Sequence, residues 1–119
     1  MATIKSYTDL YQSKKLAEIL PLESADMYYF DDNGGEPSFK VRNGITYYYD
    51  SEDCLCCWSL AALIGILPRV DIEKEICSDD TYDYRVKAYI GDGYIGDWYN
   101  NPVDACVTMI ENLHELKII

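Results

Sequence analysis

The pattern of apolar and polar residues predicts a helix near each end of the chain. Residues 6–9 (SYTD) have the form of a capping box, and the apolar residues that follow share one face. We therefore expect a first helix over residues 7–20, ended by Pro21. Asn101 is a good N-cap and Pro102 suits a first helical position, so we expect an amphipathic last helix over residues 102–116.

The longest apolar run predicts a central helix. Asp53 can cap a helix over residues 54–67, which are apolar nearly all round and are followed by Pro68. A helix of this kind is packed on most of its sides. We expect the central and last helices to share one core, formed by Trp58, Leu60, Leu63, Ile64, Val103, Cys106, Ile110 and Leu113.

A first hairpin is predicted between these helices. Residues 27–30 are β-prone and lead into a turn cluster at residues 31–35. Residues 39–42 and 45–49 flank Asn43-Gly44, the pair that best tolerates the positive φ angles of a type I′ turn. In that register one sheet face carries Lys40, Arg42, Tyr47 and Tyr49.

A second hairpin follows the central helix. Residues 84–90 alternate between apolar and polar, and the strand returns over residues 94–99 beyond Asp92-Gly93. Residues 70–73 favour a half-exposed strand, although Lys74-Glu75 could equally sit in a short helix. The whole order predicts one α+β domain over residues 1–119, a mostly antiparallel sheet of two hairpins with three helices, a buried central helix and an amphipathic C-terminal helix.

The composition of the chain excludes some classes of function but does not assign one. The chain has 119 residues and a globular composition, and its 21 acidic and ten basic residues give a net charge of −11. Such a surface repels nucleic-acid phosphate and anionic lipid, so we expect no direct contact with either. Because there is no signal-peptide pattern and no apolar stretch of the roughly 20 residues a bilayer requires, we expect a cytoplasmic protein. An odd count of five cysteines favours reduced thiols over a disulfide framework.

Three short motifs suggest chemistry, and each has a simpler explanation. Residues 91–96 (GDGYIG) match G-x-G-x-x-G, but the strand continues where a dinucleotide site needs a helix. Cys54 and Cys57 have redox spacing, yet their apolar neighbours indicate buried, inert thiols, and a zinc site lacks a second ligand pair. His114 lies at the edge of an apolar stripe with no local nucleophile motif. We expect no catalytic residue, metal or cofactor.

Acidic residues are clustered rather than scattered. Fourteen of the 21 lie in three segments, residues 23–36, 50–53 and 71–83. Twelve tyrosines are interleaved with them, and tyrosine is enriched at protein interfaces. The clustering can serve solubility alone, or it can form a surface that docks on a basic partner. For the second interpretation we expect the partner-binding residues to be Asp31, Asp32, Glu36, Tyr47, Tyr49, Asp79, Asp80 and Asp83.

Several segments carry a resemblance that supplies a biological setting. Residues 20–27, 57–63, 98–106 and 113–116 (LPLESADM, CWSLAAL, WYNNPVDAC and LHEL) resemble a family of uncharacterised small proteins from phages and mobile elements of gut bacteria. The resemblance implies no catalytic assignment. It implies an accessory protein that acts by binding a host protein, as an acidic inhibitor of a nucleic-acid-binding defence protein similar in action to anti-CRISPR proteins.

Two other function classes stay open at this point. One hairpin face could hold an anionic aromatic ligand through Lys40, Arg42, Tyr47 and Tyr49, which would make the protein a small-molecule or nucleotide sponge. A small thiol enzyme would use Cys54 or Cys57. A broad acidic patch favours protein docking, a tyrosine-lined cleft with Lys40 and Arg42 favours a ligand, and an exposed cysteine near His114 favours catalysis.

Overall fold

The computed structural model of the protein describes residues 5–30, 40–43 and 54–119. In chain order, the elements are α1 (Leu10–Ile19), a short 3-10 helix (Leu22–Ser24), β1 (Met27–Phe30), β2 (Lys40–Asn43), β3 (Cys54–Cys57), α2 (Leu60–Ile66), β4 (Val70–Ile76), β5 (Tyr82–Ile90), β6 (Gly93–Ile95), β7 (Trp98–Tyr99) and α3 (Pro102–Glu115).

The strands form two antiparallel sheets. The first sheet has the order β2-β1-β3, and the second has the order β4-β5-β6 with β7 also paired to β5. Three α-helices and two antiparallel sheets confirm the predicted α+β class. No helix among the described residues has the length and apolar content that a membrane span requires.

Helix α1 starts later than the sequence predicts. The N-cap is Asp9, whose side chain accepts from the Gln12 backbone N–H while the Gln12 side chain accepts from the Asp9 backbone. The predicted box at residues 6–9 and the start at residue 7 are therefore wrong. The reason is that the preceding residues pair with the end of the first sheet, since Ser6 accepts from the Leu60 N–H and Thr8 donates to the Trp58 carbonyl.

The predicted central helix over residues 54–67 is two elements. Residues 54–57 form β3 beside β1, with Cys57 opposite Met27, and helix α2 begins only after Ser59. Ser59, and not Asp53, is the N-cap, since its hydroxyl oxygen accepts from the Ala62 N–H. Leu63 is the one buried residue of α2, whereas Ile64 and Gly65 are exposed. This helix is thus covered on one side and is not enclosed all round.

The first predicted hairpin falls largely outside the described residues. Residue 39, Gly44 and residues 45–49 are not described, and Asn43, expected in the turn, is the last residue of β2. The described partner of β2 is β1, which places Arg42 opposite Tyr28 and Lys40 opposite Phe30.

The second hairpin is confirmed, although its predicted return strand over residues 94–99 is divided into β6 and β7 by Gly96 and Asp97. Strand β5 buries Tyr84, Val86 and Ala88 at alternate positions, and β6 returns beside it with Gly93 opposite Ile90. Gly91, at φ 59°, takes the left-handed conformation in the turn between them. Because strand and not helix follows these glycines, residues 91–96 do not have the geometry of a dinucleotide site. Residues 70–76 form strand β4 rather than a helix.

Helix α3 lies at the centre of the molecule and contacts β5, β7, α1 and α2. Asn101 caps it and Pro102 is its first residue, as predicted. Six of the eight residues predicted for the core are enclosed, namely Trp58, Leu63, Val103, Cys106, Ile110 and Leu113. Leu60 is half-buried against this core, but Ile64 is 41% exposed and its prediction is wrong.

Candidate functional site

The second sheet has one covered face and one open face. Residues at alternate positions of β5 face the core, so the residues between them, with their cross-strand partners, form what we call the outer face. The register places Glu73 opposite Arg85, Asp71 opposite Lys87, Tyr89 opposite Tyr94 and Arg85 opposite Trp98. Charged and aromatic side chains therefore share this face.

One end of the outer face neutralises its own charges. Arg85 Nε and Nη2 lie 2.9 and 2.8 Å from Glu73 Oε1, and Lys87 Nζ lies 3.9 Å from the same oxygen. The Arg85 guanidinium also stacks over Trp98, with 4.5 Å between Cζ and the ring centroid, and Lys87 Nζ lies 4.2 Å from the Tyr94 centroid. These cations are engaged within the sheet, which leaves little net charge there for a ligand.

Tyr89 extends this network to the start of β4. Its hydroxyl donates to Asp71 Oδ2 at 2.6 Å, and that bond, with burial and the nearby carboxylates, raises the pKa of Tyr89. The Tyr89 and Tyr94 rings meet edge to face, with 6.3 Å between their centroids. Asp71 is thereby also engaged inside the sheet.

The other end of the hairpin keeps its charge. We call Glu75, Asp79, Asp80 and Asp83 the acidic tip, because they lie in and beside the turn that joins β4 to β5. Glu75 is directly opposite Asp83 in the register. Across the described part of the chain, none of the four makes an ion pair. Like charges directly opposite one another destabilise a strand pair, so this arrangement favours a cation from outside the molecule.

A well-formed turn holds the acidic tip in place. The Cys77 N–H donates to the Thr81 carbonyl at 2.8 Å, and the Asp80 N–H donates to the Cys77 carbonyl at 3.1 Å. Asp79 Oδ1 accepts from the Thr81 hydroxyl at 2.6 Å, which lowers the pKa of Asp79. Asp80 takes a positive φ of 65°, a conformation that aspartate tolerates better than most residues. The carboxylates are therefore presented by defined backbone.

Apolar side chains accompany the acidic tip on the opposite side of the sheet. Ile72, Ile76 and Tyr82 are 45%, 67% and 42% exposed, and Ile76 is directly opposite Tyr82. Between the two isoleucines, Lys74 Nζ lies 4.1 Å from the Tyr82 ring centroid. The tip thus combines acidic, apolar and aromatic groups, a combination suited to a protein partner.

The residues predicted for partner binding are only partly placed by the structure. Asp79 and Asp80 are exposed in the turn, and Asp83 is half-buried at the start of β5, so these three come together. The other five, Asp31, Asp32, Glu36, Tyr47 and Tyr49, lie outside the described residues. Of the alternative ligand-binding set, Lys40 and Arg42 take alternate positions on β2, and Tyr47 and Tyr49 are not described.

The predicted partner-binding residues do not include Glu75, Ile76 and Tyr82, although Glu75 and Tyr82 lie in the acidic segment of residues 71–83. The β4–β5 register brings these residues to the acidic tip, because it places Glu75 opposite Asp83 and Ile76 opposite Tyr82. The available signal was the alternation of residues 70–76, which continues through Lys74-Glu75 as strand.

Burial makes Cys57 and Cys106 poor candidates for nucleophiles. Cys57 and Cys106 are fully buried, as predicted, and burial raises the pKa of each thiol, that of Cys106 to about 11. Because residues 54–57 form strand β3, Cys54 and Cys57 do not open a helix, as their predicted redox spacing would require. His114 is exposed in the last turn of α3.

Cys57 instead belongs to a buried polar junction. Thr8 and Ser13 are completely enclosed, with their hydroxyl oxygens 2.8 Å apart, and Cys57 Sγ lies 3.6 Å from Thr8 Oγ1. The Tyr29 hydroxyl donates to the Thr8 carbonyl at 2.6 Å. Polar side chains are tolerated in a protein interior when each has a hydrogen-bond partner, as these have. The junction connects α1 and the residues before it to the first sheet.

The described residues hold no group of three or more histidine, cysteine or acidic side chains placed to bind a metal ion. A comparison of the chain with protein-family models, curated proteins and solved structures finds no match.

Proposed function

We propose that this protein acts by binding another protein, docking its acidic tip on a basic surface of that partner. The observation that carries the proposal is the direct opposition of Glu75 and Asp83 beside Asp79 and Asp80. Elsewhere on the same sheet, Glu73 and Asp71 are engaged by Arg85 and Tyr89. The tip is thus where four acidic residues come together without an ion pair to any described residue.

Electrostatics and apolar contact would act together in this docking. Lysine or arginine side chains of a partner would relieve the repulsion at the tip, and the opposed fields would speed encounter. Ile76 and Tyr82 are exposed on the other side of the same hairpin end and would add apolar area once the surfaces meet. The carboxylates would increase the rate of association, and the apolar side chains would slow dissociation of the complex.

The partner class follows from charge. The net charge of −11 is electrostatically complementary to the basic grooves by which proteins bind nucleic acids. In the phage and mobile-element setting that the resemblance of its sequence segments implies, we infer from this charge an accessory protein that inhibits a host nucleic-acid-binding defence protein. The acidic tip would occupy part of the surface that otherwise contacts phosphate.

The test compares two variants that have the same net charge. The tip variant carries Glu75→Gln, Asp79→Asn, Asp80→Asn and Asp83→Asn, where asparagine also tolerates the positive φ of residue 80. The control variant neutralises four other exposed acids through Glu18→Gln, Glu23→Gln, Asp92→Asn and Asp97→Asn.

Each protein is immobilised and exposed to nuclease-treated lysate of a gut bacterial host, at salt concentrations of about 50 mM and about 500 mM. We expect the wild type and the control variant to retain a basic protein at low salt, and the tip variant to lose it. Duplex DNA added in solution should release that protein. Equal retention by the tip variant, or loss by both variants alike, would show that the tip is not the docking surface.

A further inference from the structure

We infer that strand β4 is the docking edge for an extended partner segment in which basic and apolar side chains alternate. The segment would add to the second sheet as a further strand. This inference rests on the proposed function and specifies how the partner is bound and which chemistry is recognised.

Strand β4 is an edge of the second sheet. Within residues 5–30, 40–43 and 54–119, its only strand partner is β5. The backbone groups of an edge strand that point away from its partner are open to pairing, and added strands bind other proteins in this way. At seven residues, β4 is long enough for several such hydrogen bonds.

Both sides of this edge are accessible. Five of the seven residues of β4 are exposed and the other two are half-buried. On the side that faces the core, Ile72 and Ile76 remain exposed. On the outer face, Asp71, Glu73 and Glu75 form a row of carboxylates. Glu73 is paired with Arg85, but Asp71, whose described partner is the neutral Tyr89 hydroxyl, and Glu75 make no ion pair with a described residue and keep their negative charge.

This two-sided pattern defines the ligand. Successive side chains of an added strand point to opposite faces, so one set would lie beside Ile72 and Ile76 and the other beside the carboxylates. The first set is best matched by valine or isoleucine and the second by lysine or arginine. Lys74 lies between Ile72 and Ile76 on β4, and its ammonium group already contacts the Tyr82 ring. An added strand could therefore contact the two isoleucines without moving Lys74.

A second copy of this chain fits the edge poorly. If two β4 strands paired antiparallel about Glu73, Glu73 would face itself and Asp71 would face Glu75 of the other copy. Like charges directly opposite are destabilising. Charge complementarity therefore selects a basic segment of a different protein.

The experiment uses the whole protein and a capped, fluorescent peptide of the sequence KVKVKVK. One comparison peptide, KKKKVVV, has the same composition and charge without the alternation. Two others carry N-methyl groups on alternate amides, one peptide for each phase, because an added strand uses only every second N–H on the side that faces β4. Binding is followed by fluorescence anisotropy.

We expect KVKVKVK to bind at least about tenfold more tightly than KKKKVVV, and one N-methylated phase to lose at least about tenfold in affinity while the other binds nearly as the parent. Ile72→Thr with Ile76→Thr should weaken binding, whereas Ile64→Thr with Ile118→Thr, at exposed positions elsewhere, should not. Amide hydrogen exchange should slow at alternate residues of β4.

The outcomes separate the inference from the proposed function. If all the peptides bind equally and salt weakens them alike, the acidic tip attracts cations but strand addition is wrong. If KVKVKVK does not bind but the acidic tip still retains a basic protein, the proposed function is supported and strand addition at β4 is wrong. If the isolated protein forms dimers through β4, the occupant is a second copy and the inference fails.

Discussion

At the scale of single residues, Gly96 shows how closely two strands approach. Its φ is 144°, and a Cβ built there would lie 2.2 Å from the Val86 carbonyl oxygen. No side chain fits this gap without moving strand β5. Gly91 also has a positive φ, but a Cβ built there would meet no neighbouring atom. Comparing substitutions at the two glycines therefore distinguishes the cost of the backbone conformation from the cost of a steric collision.

Gly96→Ala should therefore destabilise the protein much more than Gly91→Ala. For Gly91→Ala we expect a loss of about 1 kcal/mol, the usual cost of the left-handed conformation for a residue with a Cβ. For Gly96→Ala the collision adds to that cost and should exceed about 2 kcal/mol. Urea unfolding of both variants measures the difference, and equal losses would contradict the close approach.

Asp104 connects the N-termini of α1 and α3 through its carboxylate. Lys5 Nζ lies 3.0 Å from its Oδ1, and Gln12 and Asn101 donate to its two oxygens at 2.7 Å. Burial opposes ionisation, but these three donors outweigh it and lower the pKa of Asp104.

A lowered pKa in the folded state means that the Asp104 contribution is complete above the ordinary aspartate pKa of about 3.9 and is lost as the pH falls through the lowered value. Asp104→Asn should thus lower the melting temperature at pH 7, and the gap from wild type should close in strongly acidic solution. Asp92→Asn, at an exposed turn position, is the control. A gap that stays constant with pH would rule out this linkage.

At the scale of elements, the sequence predicted those with a clear period and an end signal. Helix α3 and the β5–β6 hairpin were predicted to within a few residues, because Asn101-Pro102 marks a helix start and Asp92-Gly93 a turn. The run from residue 54 to residue 67 had no such internal signal. A continuous apolar run does not distinguish strand from helix.

Tertiary contacts decide the structure of that run. Strand β1 pairs with residues 54–57, and Asp26 Oδ1 accepts from the Ser59 N–H at 2.9 Å. The Asp26 contact holds Ser59 where its hydroxyl can cap α2. These partners lie about 30 residues away in the chain, beyond the reach of local pattern.

The one-sided burial of α2 predicts sharply different effects at neighbouring positions. Leu63 is fully buried and Ile64 is 41% exposed. Leu63→Ala should cost roughly 2–5 kcal/mol, and Ile64→Ala should cost under about 1 kcal/mol. Chemical denaturation gives both values. A loss under about 1 kcal/mol at Leu63 would show that α2 does not contribute to the core as described.

At the scale of the whole molecule, the sequence located part of the acidic site but not its boundary. Charge clustering groups six acidic residues in one segment, residues 71–83, namely Asp71, Glu73, Glu75, Asp79, Asp80 and Asp83. Cross-strand pairing divides that segment, since Arg85 engages Glu73 while Glu75 faces Asp83. Which acids are neutralised depends on register, and register is not visible in composition.

This division predicts opposite effects of two similar substitutions. Glu75→Gln should raise the melting temperature at low salt because it removes a like-charge pair, and the gain should shrink as salt increases. Glu73→Gln should lower the melting temperature because Arg85 loses its carboxylate partner. Thermal melts at two salt concentrations measure both. A change of the same sign in both variants would mean that net charge alone controls stability.

The contact between Lys5 and Asp104 joins positions 99 residues apart, and Thr8 is hydrogen-bonded to Trp58 across 50. On the ribosome, the first residues emerge long before their partners have been synthesised. The β4–β5 hairpin, whose strands are separated by one short turn, can close with little loss of chain entropy. We therefore expect the second sheet to form early in folding, and the contacts of residues 5–8 with Trp58 and Asp104 to form late.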